Sequence, residues 1–301
     1  MNMLKKYLYQ LKLLYNTTLN PIESILFYVG FKDELNCKLK YNGGTFHITK
    51  NNKELLGRNI YYFNELIQNN LFEKIYSYKI FIQSLNEEIV NVDGIKFHNN
   101  EHIPILWEFF MDNPFLKGDF QNRVIMDVGA NIGDTSLFYA KCGANVFAFE
   151  PVPETCEIAQ KNIDLNDDLK NNIKLFNYAI DKQDGYIDIY LESNEKSASA
   201  NSFIKEGKKI NIKSYSINSI IQKHGIKPDI LKMDCEGAEY AIIENCDLSC
   251  FNRLMIEYHE SFVGKSYEKL IKRLEQMGFK VTVKNNASYD LHDIGFILAE
   301  K

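Results

Sequence analysis

The sequence lacks several features that would place it in a specialised class of protein. It has no run of about 18 consecutive apolar residues, so no transmembrane helix is predicted. Its six cysteines include no C-x-x-C pair and do not follow the spacing of a zinc site. A disulfide framework is also not expected in a chain of this length without a signal peptide, and buried free thiols are predicted instead.

An excess of basic residues is missing as well. The net charge of −5 argues against a dedicated nucleic-acid-binding protein. There is neither an internal repeat nor a low-complexity linker. The N-terminal apolar segment is interrupted by Gln10 and Lys12 and is followed by no small-residue cleavage site, so it is not interpreted as a secretory signal. A cytoplasmic globular protein is therefore expected.

The first 118 residues are predicted to form a small α+β region without an assigned role. Leu4, Leu8, Leu11 and Tyr15 recur at helical spacing, which predicts a helix packed on the body of the protein or on a second copy. Pro21 is expected to begin a second helix. Two hairpins are predicted, with turns at Asn42-Gly43-Gly44 and at Val92–Ile95.

Residues 119–301 alternate between strand and helix patterns, which is typical of a parallel sheet flanked by helices. The last two predicted strands are joined by a polar loop, so an antiparallel closing hairpin is expected. The polar stretch Ser197–Ser202 is interpreted as a surface loop, with a substrate lid as the alternative. The predicted strands of this domain span residues 123–128, 145–149, 173–179, 229–234, 253–258, 279–283 and 294–299.

A glycine-rich turn carries the first chemical signal. Asp127-Val-Gly129-Ala-Asn131-Ile-Gly133 follows an apolar strand and precedes a helix, whose free amides favour an anionic group. Asn131 stands where a dinucleotide-binding turn would have its second glycine, which favours a nucleoside ligand without pyrophosphate over NAD. A purely structural turn is the alternative.

The next predicted strand ends in an acid. Glu150 follows Asp127 by about 20 residues, the spacing of a ribose-binding carboxylate. Such a carboxylate can accept hydrogen bonds from both ribose hydroxyls. An ordinary exposed glutamate at a strand end is the alternative.

Two later strands end in charged groups. Lys232 and Asp234 are expected on one side of their strand, and Glu257 and His259 share a side of the next. A histidine beside a carboxylate can accept a proton near neutral pH. Together with Asp234 the pair could instead bind a divalent metal, but no His-rich spacing supports this, so no metal is assigned. A buried Lys–Asp ion pair and a histidine satisfied by its neighbours are the structural alternatives.

These segments together resemble the FkbM-type methyltransferase family. The family pattern D-x-G-A-N-x-G, F-E-P and K-x-D-x-E-G-x-E is matched at Asp127–Gly133, Phe149–Pro151 and Lys232–Glu239. The resemblance covers about residues 120–300. It implies an α/β fold, with a Rossmann-like, seven-stranded, mostly parallel sheet whose last strand is antiparallel. It also implies S-adenosylmethionine as cofactor and O-methylation of a sugar or other small-molecule hydroxyl.

The resemblance also assigns roles to individual positions. Asp127, Gly129, Asn131 and Gly133 would border the methionine part of the cofactor. Glu150 would bind the ribose, Ala179 and Ile180 would lie beside the adenine, and Asp234 would lie near the methyl group. Four neighbours of these positions complete the expected cofactor-binding set: Ala130, Asp134, Thr135 and Pro151.

For catalysis we expect His259 or Asp234 to take the hydroxyl proton, with Lys232 and Glu257 positioning them. The expected partner is a small-molecule or glycan acceptor rather than nucleic acid, with a homo-oligomer and a protein acceptor left open. The alternatives are a non-catalytic Rossmann-like binding module and an NAD-dependent oxidoreductase.

Overall fold

The structure is a computed structural model, and the chain divides into two compact units, Met1–Asn113 and Pro114–Lys301. In the described part of the chain, no helix combines the length and the apolar character needed to cross a membrane. The residues that the structure describes are 8, 11–15, 18–38, 45–49, 88–99, 106, 113–191, 200–201, 207–285 and 293–301.

The N-terminal unit contains a short helix and two hairpins. Their bounds are α1 (Pro21–Tyr28), β1 (Glu34–Lys38), β2 (Thr45–Thr49), β3 (Ile89–Val92) and β4 (Ile95–His98). Strands β1 and β2 pair antiparallel, which confirms the first hairpin, although its Asn-Gly-Gly turn lies outside the described residues. Strands β3 and β4 are joined by Asp93 and Gly94 at φ +50° and +86°, as a two-residue hairpin turn requires. Pro21 begins α1 as predicted.

The helical face that the spacing indicates for the first helix is not its buried face, and the packing of this helix on a second copy stays a prediction. Residues 11–15 are helical, but Leu13 and Leu14 are the buried side chains. Leu8 and Tyr15, which the spacing assigned to the packed face, are 55% and 57% exposed. Leucines lie on several sides of this helix, so spacing alone does not select the buried one.

The second unit is built on a seven-stranded sheet with the order β14-β15-β13-β12-β5-β6-β7. Its strands are β5 (Val124–Val128), β6 (Asn145–Phe149), β7 (Ile173–Phe176), β12 (Ile230–Met233), β13 (Arg253–His259), β14 (Lys280–Asn285) and β15 (Ile294–Glu300). Six of them run in the same direction, and only β15 runs antiparallel, to both β13 and β14, which confirms the predicted closing hairpin. All four residues of β12 are buried, as expected for a strand covered on both faces.

Helices connect the strands of this sheet. They are α2 (Asp134–Lys141), α3 (Pro153–Asp164), α4 (Ile217–His224), α5 (Ala238–Asn245), α6 (Glu260–Val263) and α7 (Glu268–Gln276). The large apolar core includes Leu231 and Ile256 from the sheet and Ile242 and Leu274 from the helices. The six cysteines all lie in described ranges and form no disulfide. The expectation that all are buried is wrong for Cys250, which is exposed, and Cys142 and Cys235 are only partly buried.

A second, four-stranded sheet was not predicted. Its order is β10-β9-β11-β8, and its strands are β8 (Ala179–Asp181), β9 (Gly185–Leu191), β10 (Ala200–Asn201) and β11 (Lys208–Ser216). The predicted strand 173–179 therefore ends at Phe176, and Ala179 begins the other sheet. The proposed loop Ser197–Ser202 contains β10, and its remaining residues lie outside the described ranges. The alternating apolar pattern of β9 and β11 was a readable signal for strands.

Candidate cofactor and active site

Four of the predicted motifs meet at one edge of the large sheet. Strands β13, β12, β5 and β6 are adjacent and parallel, so their carboxyl ends lie side by side. His259, Asp234, Gly129 and Glu150 stand at or directly after those ends. Ligands of open parallel sheets bind at this edge. The fold thus brings together segments that are up to 132 residues apart in the sequence (259 − 127).

The glycine turn is packed tightly against the end of β12. Gly129, Asn131 and Gly133 have φ values of +77°, +47° and +83°. The amides of Gly129 and Ala130 both donate to the Phe149 carbonyl at 3.0 Å. A Cβ atom on Gly129 would lie 1.7 Å from the carbonyl oxygen of Asp234. Glycine is therefore required at position 129 for two reasons, its backbone conformation and the lack of space.

Asp127 is the centre of a buried polar network. Its Oδ2 accepts hydrogen bonds from Thr135 Oγ1 at 2.7 Å and Ser136 Oγ at 2.6 Å. Its Oδ1 lies 3.1 Å from Lys232 Nζ, which also donates to the Gly129 carbonyl at 2.7 Å. The buried Lys–Asp ion pair considered from the sequence is therefore present, with Asp127 as the acid. The network ties β5, β12 and α2 together beneath the turn.

Burial and charge act in opposite directions on this network. Burial by itself lowers the pKa of Lys232, but the carboxylates of Asp127, Asp234 and Asp134 outweigh it and raise the pKa above its ordinary value. The ammonium is thus held charged. Asp134 is nearly buried in the first turn of α2, and this burial raises its pKa to about 7 although Lys232 opposes the shift.

Glu150 is buried and held by two backbone amides. Its side chain is 6% exposed, so the alternative of an ordinary exposed glutamate is wrong. Oε2 accepts from the Asn131 amide and Oε1 from the Val152 amide, both at 2.9 Å. Burial raises the pKa of Glu150 to about 7, while the two amide hydrogen bonds oppose the shift. Pro151 follows it, and its carbonyl accepts from Asn177 Nδ2 at 3.1 Å.

The two positions expected beside the adenine are both buried. Ala179 packs with Val152, Ile189 and Ile212 in a small cluster that includes residues of the second sheet. Ile180 belongs to the large core. Since Val152 follows Glu150 by two residues, Ala179 lies close to the acidic strand end.

The third cluster lies at the ends of β12 and β13. Asp234, Glu257 and His259 each place one side-chain oxygen or nitrogen within 4.8 Å of the others, so the predicted grouping is present. Asp234 and Glu257 are partly exposed, whereas His259 is 4% exposed. Lys232, which the sequence analysis grouped with them, is directed instead to Asp127 and the Gly129 carbonyl.

Sequence reasoning missed the acids behind His259. Glu239 is fully buried on α5, with Oε1 3.6 Å from His259 Nδ1, and Glu236 Oε2 lies 3.7 Å from Nε2. Burial lowers the pKa of His259, but Glu239, Asp234 and Glu236 more than offset this and raise it to about 10. The spacing E-G-x-E at the start of a helix was the available signal. Charged residues are rarely buried without a partner, so acids at this position indicate a partner nearby. Ser136, a partner of Asp127, was also missed.

Relatives of known name match half or more of the chain. The hexuronic acid methyltransferase AglP of Haloferax volcanii is 28% identical over 154 residues, which are 50% of this chain and 62% of AglP. The chain thus spans less than two thirds of that relative's length. The methyltransferase sdnD of Sordaria araneosa is 24% identical over 236 residues, covering 65% of this chain and 90% of sdnD.

Solved structures resemble the fold more distantly. A methyltransferase FkbM from Methylobacillus flagellatus KT is 14% identical with a TM-score of 0.44, covering 82% of this chain and 60% of that one. Fibrillarin from Aeropyrum pernix with bound S-adenosylmethionine is 12% identical with a TM-score of 0.42, covering 89% of this chain and 94% of that one. Residues 127–281 match the methyltransferase FkbM domain, which includes every motif described above. The chain therefore belongs to the FkbM methyltransferase family.

Proposed function

We propose that the protein is a methyltransferase that transfers the methyl group of S-adenosylmethionine to a hydroxyl of a sugar or glycan. The observation that carries the proposal is the buried Glu150 carboxylate, held beside the glycine turn in a chain of the FkbM family. The relative AglP is named a hexuronic acid methyltransferase, and this supports a sugar as the acceptor.

Membership of this family implies S-adenosylmethionine as the cofactor, and the residues present fit it. Each oxygen of Glu150 accepts one amide hydrogen bond, which leaves lone pairs for two ribose hydroxyls. The Asn131 side-chain oxygen is buried and has no hydrogen-bond partner among the described residues. This oxygen is thus available to accept a hydrogen bond from a ligand donor such as an ammonium or hydroxyl group.

The remaining positions are proposed to surround the cofactor. Gly129, Ala130, Gly133 and Asp134 would line its methionine part, and Pro151 would lie beside the ribose. Ala179 and Ile180 would border the adenine, and Asp234 would lie near the transferred group. Asp127 and Thr135 are committed to the network beneath the turn, so we propose that they act by holding the turn in place.

We propose Asp234 as the group that accepts the proton of the acceptor hydroxyl. When bound, S-adenosylmethionine supplies a methyl group already activated on a sulfonium, so alignment and removal of this proton are the tasks left to the protein. Asp234 is partly exposed at the strand end, whereas His259 is almost fully buried, so an acceptor reaches Asp234 more directly. Glu257 and His259 would orient Asp234, and Lys232 would fix the strand end.

Cofactor binding is testable by calorimetry with S-adenosylhomocysteine. The intact protein should bind S-adenosylhomocysteine and not NADH. In Glu150→Ala the affinity should fall by about 10- to 100-fold, because hydrogen bonds to a charged group contribute about 1.5–3 kcal/mol. The matched control is Glu154→Ala, which removes an exposed glutamate at the start of the following helix and should leave the affinity unchanged.

Two results would contradict the cofactor proposal. One is the absence of binding to the intact, folded protein, which would favour the alternative of a non-catalytic module. The other is an equal affinity in Glu150→Ala and Glu154→Ala, which would remove Glu150 from the site.

The role of Asp234 is testable by transfer of a tritiated methyl group to a panel of hexuronic acids and neutral sugars. In Asp234→Asn turnover should fall on the order of 100-fold, the typical contribution of a general base. Binding of S-adenosylhomocysteine should change little. His259→Ala and Glu257→Gln, assayed in parallel, separate the proton acceptor from the groups that orient it. Full activity of Asp234→Asn on an acceptor that the intact protein methylates would exclude this assignment.

A further inference from the structure

The geometry points to a divalent-cation site formed by Asp234, Glu257 and His259, which would hold the oxygen atoms of the acceptor. The inference rests on the proposed function for its purpose, because the site lies at the strand ends where we place the acceptor. The existence of the cation site is inferred from the positions of these side chains alone. The sequence pattern by itself favours a plain polar site here, since no His-rich spacing is present.

The spacing of the three side chains suits a single ion. One ligand atom from each residue lies within 4.8 Å of the other two. Ligands of an octahedral ion with bonds of about 2.1 Å lie roughly 3–4.2 Å apart, so small side-chain rotations are sufficient. Carboxylates suit Mg²⁺ and Mn²⁺, while imidazole suits later transition metals. The combination of two carboxylates and one imidazole therefore makes Mn²⁺ an appropriate probe.

The surroundings of His259 supply an independent reason. The ring is 4% exposed, and its Nδ1 has no hydrogen-bond partner in the described part of the chain. Glu239 Oε1 lies 3.6 Å from Nδ1, behind the ring, and is itself fixed by the Cys235 amide at 2.7 Å. Histidines that ligate metals usually direct their second nitrogen at such a carboxylate. Nε2, which lies 3.7 Å from Glu236 Oε2, is then the nitrogen that would bind the cation.

The local charge also favours a cation. The carboxylates of Asp234, Glu236, Glu239 and Glu257 lie near the His259 ring. The neighbouring ammonium of Lys232 is directed to Asp127 and the Gly129 carbonyl instead. A divalent cation at this position would offset part of that negative charge.

Such an ion has a direct use in the proposed reaction. Asp234 and Glu257 are partly exposed, so coordination positions would remain open on that side. A sugar that offers two neighbouring oxygen atoms, such as a vicinal diol or a hydroxyl beside a carboxylate, would chelate the ion there. Coordination lowers the pKa of a hydroxyl and orients it for attack. The inferred acceptor class is thus a chelating sugar.

The site is testable by titrating the full-length, chelator-treated protein with Mn²⁺ alone and measuring free Mn²⁺ by electron paramagnetic resonance. One ion should bind per chain. Affinity should fall at least about 10-fold in Asp234→Asn and in Glu257→Gln, since even the loss of an outer partner has that effect. The control Glu244→Gln removes the same charge from an exposed pair in the same unit and should bind like the intact protein.

Circular dichroism verifies that each variant folds. Asp234→Asn and Glu257→Gln are both near-isosteric, so the expected loss of Mn²⁺ affinity in either folded variant is sufficient to support the site. Absence of Mn²⁺ binding, or equal binding by Asp234→Asn, Glu257→Gln and Glu244→Gln, would overturn the inference. Titration of the same samples with S-adenosylhomocysteine separates the two proposals. Cofactor binding without Mn²⁺ binding excludes only the ion, and Mn²⁺ binding without cofactor binding excludes only the methyltransferase proposal.

Discussion

Lys232→Met should destabilise the second unit by about 3–5 kcal/mol, the usual cost of removing one partner of a buried ion pair. The side chains of Lys232 and Asp127 are 3% and 0% exposed, and their charged atoms are 3.1 Å apart. The substitution keeps much of the volume but leaves the Asp127 carboxylate buried without its cation. It also removes the donor to the Gly129 carbonyl. Urea denaturation followed by circular dichroism gives the change in the free energy of unfolding.

Two controls separate this effect from a general loss of charge. Lys265→Met breaks an exposed pair with Glu244 at 2.9 Å and should cost less than about 1 kcal/mol. The double variant Lys232→Met with Asp127→Asn removes both charges and should recover part of the loss, because no uncompensated charge remains buried. A loss in Lys232→Met no larger than that in Lys265→Met would show that the ion pair contributes little.

Gly129→Ala should cost about 2–5 kcal/mol and should also weaken cofactor binding. The left-handed backbone at φ +77° costs a residue with a Cβ roughly 1–2 kcal/mol. In addition, the new Cβ would lie 1.7 Å from the Asp234 carbonyl oxygen, so the ends of β5 and β12 must separate. Overpacking of this kind costs about 1–3 kcal/mol. Because Asp234 would move with its carbonyl, the site should be distorted as well.

Gly278→Ala is the matched control for the backbone contribution. Gly278 has a similar φ of +89°, but a Cβ there would meet nothing within 4 Å. Its loss of stability should equal the left-handed cost alone, and its affinity for S-adenosylhomocysteine should be unchanged. The difference between the two variants measures the clash with Asp234. Equal losses of stability in both variants would mean that the glycine turn shifts away from the Asp234 carbonyl at little cost in free energy.

Much of the catalytic fold was predictable because its signals are local. The apolar runs of β5, β6, β12 and β13 and the turns that follow them were recognised from the sequence, and the polar loop before β15 predicted the antiparallel closing strand. The second sheet was missed although β9 alternates between apolar and polar residues. From the sequence only Ser197–Ser202 was interpreted in this region, as a surface loop, and β9 and β11 received no assignment.

The sequence predicted which residues make up the candidate site better than it predicted the contacts between them. Glu150 and the grouping of Asp234, Glu257 and His259 followed from positions at strand ends, since parallel strands end at the same edge. The partner of Lys232 did not follow, because Asp127 lies more than 100 residues earlier and only strand pairing brings them together. The carboxylate behind His259 is likewise contributed by a helix that packs on the strand.

The sequence by itself determined the family, the order of the strands along the chain and the residue types at their ends, because these depend on short motifs and on periodicity. The tertiary structure decided which charges are buried together. Strand order places Lys232 beside Asp127, and the packing of α5 places Glu239 behind His259. The neighbouring carboxylates then outweigh burial, so they hold Lys232 charged and raise the pKa of His259. Such effects depend on distance and on exclusion from water, which exist only once the chain has folded.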